Sequence, residues 1–341
     1  MKDNNNKKLH GQFYTTVNPF HNELFMQWFE RIENRTSKII IEPFAGSNNI
    51  VKMVNEFYSS KWACFDIDPC HELNSACQFP ISKNDSLKNF PTGFSIAITN
   101  PPYLARNSAT RDGLAFPDTQ HDDLYKHAID VMLRNVEYVA AIIPDSFRTQ
   151  NLFHDRLFGI ASLNCKMFDD TECPVCLALF IPFQDKKLHG LQGNDFHYYK
   201  GNVPLGFHSE IQAKLDQYAQ GEQAANWKFN VPDGEIGLYA IDSAKEKSIR
   251  FVEGEAIAQE RVKHSSRGVT RIAGLPGGMA ASEVIAQANI ILGDFRDDTS
   301  DLFLTSFRGL REDGDYRRRL DYNLAKMILN RSVDRLGGIH A

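Results

Sequence analysis

Short apolar runs alternate with amphipathic stretches through the first half of the chain. Leu24, Phe25, Trp28, Phe29 and Ile32 recur at helical spacing after Pro19. Residues 38–41 predict a short buried strand, and residues 50–58 a helix behind it. Further strands are expected at 62–65, 79–81 and 94–99. A helix carrying Leu124, Ala128, Val131 and Met132 precedes a buried strand at 138–143. Residues 165–168 and 175–181 read as two more strands. Strands that alternate with helical patterns predict an α/β fold around a parallel sheet. The alternation stops near Pro182. Polar, glycine-rich loops follow, then a helix at 209–219 and short mixed segments at 227–231, 237–241, 249–252 and 270–272. Helices are expected again at 278–288 and 316–331. Two domains are therefore expected, 1–190 and 191–341.

The polar chemistry collects where strands end. Glu42-Pro43-Phe44-Ala45-Gly46-Ser47-Asn48-Asn49 joins the first strand to its helix, and Gly46 gives the backbone room to approach a ligand. A single glycine is not a dinucleotide fingerprint, and the absence of a following lysine excludes a phosphate loop. The turn suits an uncharged or zwitterionic ligand. Asp66-Ile67 ends the second strand, where acidic residues hold ribose hydroxyls in nucleoside-binding folds. Asp85-Ser86 follows the third, and Asp85 is placed to accept from an adenine amino group. Asn100-Pro101-Pro102-Tyr103 follows the fourth. Its two prolines fix φ and remove two donors, which leaves free carbonyls, one amide and one aromatic face. That set fits a flat heterocycle with an exocyclic amino group. Four consecutive strand ends carry ligand-type chemistry, and open α/β sheets bind ligands at that edge. The segment Gly11-Gln12-Phe13-Tyr14-Thr15-Thr16 places hydroxyls just before the first helix, where they cap it or face a ligand. Residues 104–122, with Arg106 and Arg111, form a long polar loop of the functional, mobile kind.

Composition narrows the setting. The chain has 341 residues, 42% hydrophobic and 24% charged, as in an ordinary globular protein. No apolar run approaches a membrane span, and the Asn- and Lys-rich start lacks an apolar signal core. Six scattered cysteines include Cys173-x-x-Cys176, which has no second pair at zinc spacing. Buried strand thiols in a reducing, cytoplasmic setting are expected, and no metal. The net charge of −5 argues against broad affinity for nucleic acid, so such a surface must come from local clusters. Two clusters exist: Arg261, Lys263, Arg267 and Arg271, and then Arg308, Arg311, Arg317, Arg318 and Arg319.

In this order the motifs resemble the S-adenosylmethionine-dependent DNA adenine-N6 methyltransferases, in particular the gamma-ordered group. The resemblance covers most of residues 11–182. It implies a Rossmann-like class I methyltransferase sheet with a second, smaller mixed α+β domain for target recognition. It implies S-adenosylmethionine held by Phe13, Tyr14, Thr15, Thr16, Glu42, Pro43, Ala45, Gly46, Asp66, Ile67, Asp85, Ser86 and Asn100. Asn100, Pro101 and Tyr103 would act on the base, with Tyr103 and Phe168 stacking on it. Arg106, Arg111, Arg267, Arg271, Arg317 and Arg318 are the expected contacts to double-stranded DNA. A restriction endonuclease acting on the same site is an implied partner, and a monomer is expected. A protein-glutamine methyltransferase of the release-factor type is the nearest rival reading, and an RNA adenine-N6 methyltransferase is another.

Overall fold

The computed structural model describes residues 15, 17–69, 79–168, 171–219 and 225–337. Contacts divide the chain into two compact units, Met1–Gly206 and Phe207–Ala341.

The first unit opens with helix α1 (Glu23–Glu30), whose N-cap Asn22 accepts from the Leu24 and Phe25 amides. Its apolar stripe, Leu24, Phe25, Trp28 and Phe29, is buried, and the Trp28 indole donates to the Phe180 carbonyl at 2.9 Å. Strand β1 (Ile39–Glu42), helix α2 (Asn49–Asn55), β2 (Lys61–Asp66), β3 (Ile81–Lys83) and β4 (Ile96–Thr99) follow. Then come α3 (Arg106–Arg111), α4 (Leu124–Asn135), β5 (Tyr138–Pro144), β6 (Leu157–Ser162), β7 (Val175–Phe180), β8 (His197–Lys200) and β9 (Val203–Phe207). The nine strands form one sheet in the order β3-β2-β1-β4-β5-β7-β6-β8-β9. The first five are mutually parallel, and β7 runs antiparallel to both β5 and β6. The chain winds outward from β1 to β3, then returns to β4 on the other side of β1. The switch point between β1 and β4 is where open α/β sheets make a crevice at the strand ends. At Gly159 a β-carbon would stand 2.9 Å from the Leu24 side chain, so this glycine lets α1 lie close on the sheet.

Four expectations change. Residues 165–168 form no strand. The antiparallel partner of β7 is instead the fully buried Leu157–Ser162, and Asn164 beyond it takes a left-handed φ of 45°. The loop at 104–122 contains α3. The first unit continues past residue 190, because β8 pairs in parallel with β6 and carries the sheet on to β9. Residues 316–319 are extended, not helical.

The second unit contains α5 (His208–Ala219), β10 (Lys228–Phe229), β11 (Ile236–Tyr239), β12 (Arg250–Glu253), β13 (Val269–Ala273), α6 (Ala281–Asp298), β14 (Thr305–Leu310), β15 (Tyr316–Arg319) and α7 (Tyr322–Gly337). Its sheet runs β10-β13-β11-β12, and β14–β15 is a separate hairpin. Ile236, Leu238, Phe251 and Ile272 of the sheet share a core with Ile291, Phe295, Ile328 and Leu329 of α6 and α7. Asn289 of α6 bonds both the amide and the carbonyl of Phe251. Buried Asp242 receives a two-point bond from Arg296 at 2.8 Å, which Asp301 also pairs. No helix among the described residues is long and apolar enough to cross a membrane.

Candidate functional site

Every cofactor or base residue predicted in the first unit and described in the structure, Phe168 apart, lies on a strand end or the turn that leaves it, or beside them, whereas Arg106 and Arg111 lie on α3. Glu42, the last residue of β1, is completely buried. Its Oε1 accepts the Thr99 hydroxyl at 2.5 Å and the Phe44 amide at 3.1 Å. Its Oε2 is buried without a hydrogen-bond partner among the described residues. Burial raises this carboxyl to about 8, against the bonds from Thr99 and Phe44, and the Asp66 charge adds to the rise. Thr99 carries no motif of its own in the sequence. Its signal was a hydroxyl at the end of an otherwise apolar, buried strand.

The turn after Glu42 has the backbone its residues suggested. Gly46 has φ of +51°, and Asn48, which caps α2, has φ of 60°. Pro43 and Ala45 are buried within it. The Asn48 amide donates to the Phe79 carbonyl at 2.7 Å, while its Oδ1 is buried with no partner among the described residues. Asp66 closes the turn from β2: its two oxygens accept the Gly46 amide at 2.8 Å and the Asp68 amide at 2.9 Å. Ile67 beside it is 42% exposed. Asp85 pairs with Lys88 at 3.0 Å, and buried Ser86 accepts from the Asn84 amide. Thr15 is buried; its carbonyl accepts from Asn49 and its hydroxyl meets the Asn100 amide at 3.3 Å. Phe13, Tyr14 and Thr16 lie outside the described residues.

Asn100 leaves β4 beside this group, followed by buried Pro101. Its Oδ1 accepts the Tyr103 hydroxyl at 2.6 Å, and the same hydroxyl lies 2.6 Å from the Ile142 carbonyl. The Tyr103 ring stands edge to face with Tyr125 at 6.2 Å and with Phe168 at 6.1 Å. Phe168 is completely buried. The expected stacking pair is thus adjacent, but the two rings are inclined at 70° and meet directly. A base held between them needs them parallel and further apart.

No protein-family model matches the chain, and no curated protein is similar to it in sequence. Several solved structures are similar in fold. A type I restriction-modification system methyltransferase subunit from Streptococcus thermophilus is 13% identical, with a TM-score of 0.40, over 60% of this chain and 53% of that one. The M protein of the type I restriction enzyme EcoKI is 14% identical, with a TM-score of 0.40, over 85% and 72%. A dimethyladenosine transferase from Plasmodium falciparum is 14% identical, with a TM-score of 0.35, over 51% and 66%. The chain spans about half the length of the Streptococcus subunit. At such values the likeness carries no weight for the reaction.

The expected DNA contacts separate sharply. Arg271 and Arg318 are corrected: both are buried, at 7% and 2% exposed. Arg271 donates to the Ile257 and Pro232 carbonyls, and Arg318 bonds Asp315 and Ser306. These guanidiniums are spent on their own unit's interior. Arg106 is also spent locally, on the Thr119 and His121 carbonyls and over the Phe116 ring at 4.6 Å. Arg111 is exposed and tied to Asp112. Arg317 binds the Asp242 carbonyl and lies over Phe307 at 5.2 Å. Arg267 is exposed, and neither it nor Arg319 of the second basic cluster has an ion pair among the described residues. The Tyr322 phenol is pushed up by burial, against its bonds to Thr270 and Asn230 and then the charges of Arg319 and Arg267. Cys176 is buried in β7, and burial pushes its thiol up; Cys173 is half-buried. Among the described residues no group of three or more His, Cys, Asp or Glu is placed to hold a metal ion.

Proposed function

We propose that this chain transfers a methyl group from S-adenosylmethionine to N6 of an adenine flipped out of a specific double-stranded DNA sequence, as the modification enzyme of a restriction-modification system. The reading rests chiefly on one observation: a glycine turn, buried acids and the Asn100 amide share adjacent strand ends, joined by the Glu42–Thr99 bond at the switch point. The residues suit that cofactor. Glu42 Oε2 and Asn48 Oδ1 are buried acceptors lacking donors among the described residues. A ligand bearing N–H donors and positive charge matches them; a phosphate does not.

The cofactor supplies an electrophilic methyl group. Glu42, Pro43, Ala45 and Gly46, with Phe13, Tyr14, Thr15 and Thr16, hold its methionine part. Asp66 and Ile67 hold the ribose, and Asp85 and Ser86 the adenine. Asn100 Oδ1 and the Pro101 carbonyl accept the two N6 protons of the target base, which favours a pyramidal nitrogen and stabilises its growing positive charge. Flipping the base costs a few kcal/mol. Stacking on Tyr103 offsets about 1–3 kcal/mol of that. Phe168 covers the second face once the two rings part. Arg111, Arg267, Arg317 and Arg319 are the DNA contacts of this reading.

Nucleoside mass spectrometry of DNA from cells expressing the protein tests it. N6-methyladenine is expected with the wild type and absent with Asn100→Ala, whose melting temperature should be unchanged. Methylation that persists in Asn100→Ala removes that amide from the chemistry. Unmodified wild-type DNA, with methyl transfer to RNA or to a protein glutamine instead, moves the substrate.

A further inference from the structure

We propose that the Glu42 carboxyl, which the reading above sets against the cofactor's methionine part, surrenders one proton to solvent each time the cofactor binds. The inference rests on the cofactor reading above.

The carboxyl sits at the end of β1 with no exposed surface. One oxygen takes both donors, the Thr99 hydroxyl from β4 and the Phe44 amide from its own turn. The other oxygen takes none among the described residues. Asp66 faces it from β2, and among the described residues no basic side chain figures in the groups acting on it. An ionised oxygen in that position is a buried charge without a counter-ion, so the unliganded carboxyl keeps its proton. Its rise to about 8 expresses the same balance. The neutral acid is no better satisfied, because its O–H then lacks an acceptor.

A ligand resolves this in one of two ways. It offers an acceptor to the O–H, or a cation to the carboxylate. The neighbouring Asp66 charge repels an anionic acceptor and attracts a cation. The second orphaned atom of the turn, Asn48 Oδ1, is also an acceptor and calls for a donor. A cation beside Glu42 lowers its pKa, and the proton leaves. S-adenosylmethionine carries two such groups, an ammonium and a sulfonium.

Titration calorimetry of the full chain at about pH 6.5, in buffers of different ionisation enthalpy, counts the protons. Close to one proton released per bound S-adenosylmethionine is expected. Glu42→Gln keeps an acceptor for Thr99 and Phe44 and should release none. Wild-type affinity should fall about tenfold per pH unit below the carboxyl's pKa, while that of Glu42→Gln stays flat. S-adenosylhomocysteine, which lacks the sulfonium, separates the two cations: equal release assigns the ammonium, and no release assigns the sulfonium. Tight wild-type binding without proton release overturns the inference alone. No binding of either nucleoside overturns the cofactor reading. Should Glu42→Gln not fold, the wild-type proton count decides by itself.

Discussion

Tyr103 shows how one hydroxyl constrains the site. Its single proton faces two acceptors, Asn100 Oδ1 and the Ile142 carbonyl, both at 2.6 Å. It can serve only one of them. The conflict disappears if the Asn100 amide is turned, so that its nitrogen donates to the hydroxyl and the hydroxyl to Ile142; oxygen and nitrogen of an amide are assigned from such networks. In the first arrangement the phenol competes with a substrate amino group for Asn100 Oδ1; in the second that oxygen is turned away from the phenol. Tyr103→Phe keeps the ring and removes the competitor, so kcat/KM on unmethylated DNA should hold or rise. Tyr103→Ala removes the stacking face and should lose about 5–150-fold, the equivalent of 1–3 kcal/mol. A Phe variant as impaired as the Ala variant would give the hydroxyl a direct part in the reaction. The acids were legible as residues of a ligand edge. Their division of labour was not. Asp66 spends both oxygens on the turn's amides while Glu42 keeps one unused. That depends on which atoms fold within reach.

At the level of elements, the arginines of β15 illustrate the period of a strand. Successive side chains point to opposite faces, so Arg318 goes inward while Arg317 and Arg319 share the other face with Phe307. Charge density along the sequence could not separate them, and the segment read as a helix hid the alternation. The two classes should respond differently. Removing Arg267 and Arg319 together should leave stability to urea unchanged and flatten the salt dependence of DNA binding, by about 0.9 in log–log slope for each phosphate no longer neutralised. Arg318→Ala should instead cost about 3–5 kcal/mol of stability, because buried Asp315 loses a partner. An unchanged salt slope in the double variant would place the DNA contacts elsewhere. The strand misplaced at 165–168 has a comparable cause. Residues 157–162 are apolar or small throughout, a pattern that buried strands and buried helices share, and only pairing with β7 distinguishes them.

For the whole molecule, the decisive interaction is the parallel pairing of β8 with β6, which places the end of the first unit at Gly206. A chain cut after residue 206 should fold cooperatively. One cut after 190 loses β8 and β9 and exposes the open edge of β6, a surface prone to aggregate. Circular dichroism melts and light scattering of the two fragments compare them; equal behaviour would mean that β8 is dispensable. The same pairing explains why the boundary was illegible near residue 190. Glycines and polar residues mark a change of texture there, yet a short strand beyond them still found the sheet.

The sequence by itself determined the alternating α/β plan, the strand ends that carry polar residues and the special backbone at Gly46, because hydrophobic period and turn chemistry are local properties. Tertiary structure decided the rest. Strand order brought Glu42 beside Thr99, though they are 57 positions apart. Burial then separated the arginines that hold the second unit together from those left facing outward, and it left one carboxyl oxygen of Glu42 without a partner among the described residues. Each of these outcomes depends on which distant segments pair and which groups lose water, and no window of neighbouring residues contains that information.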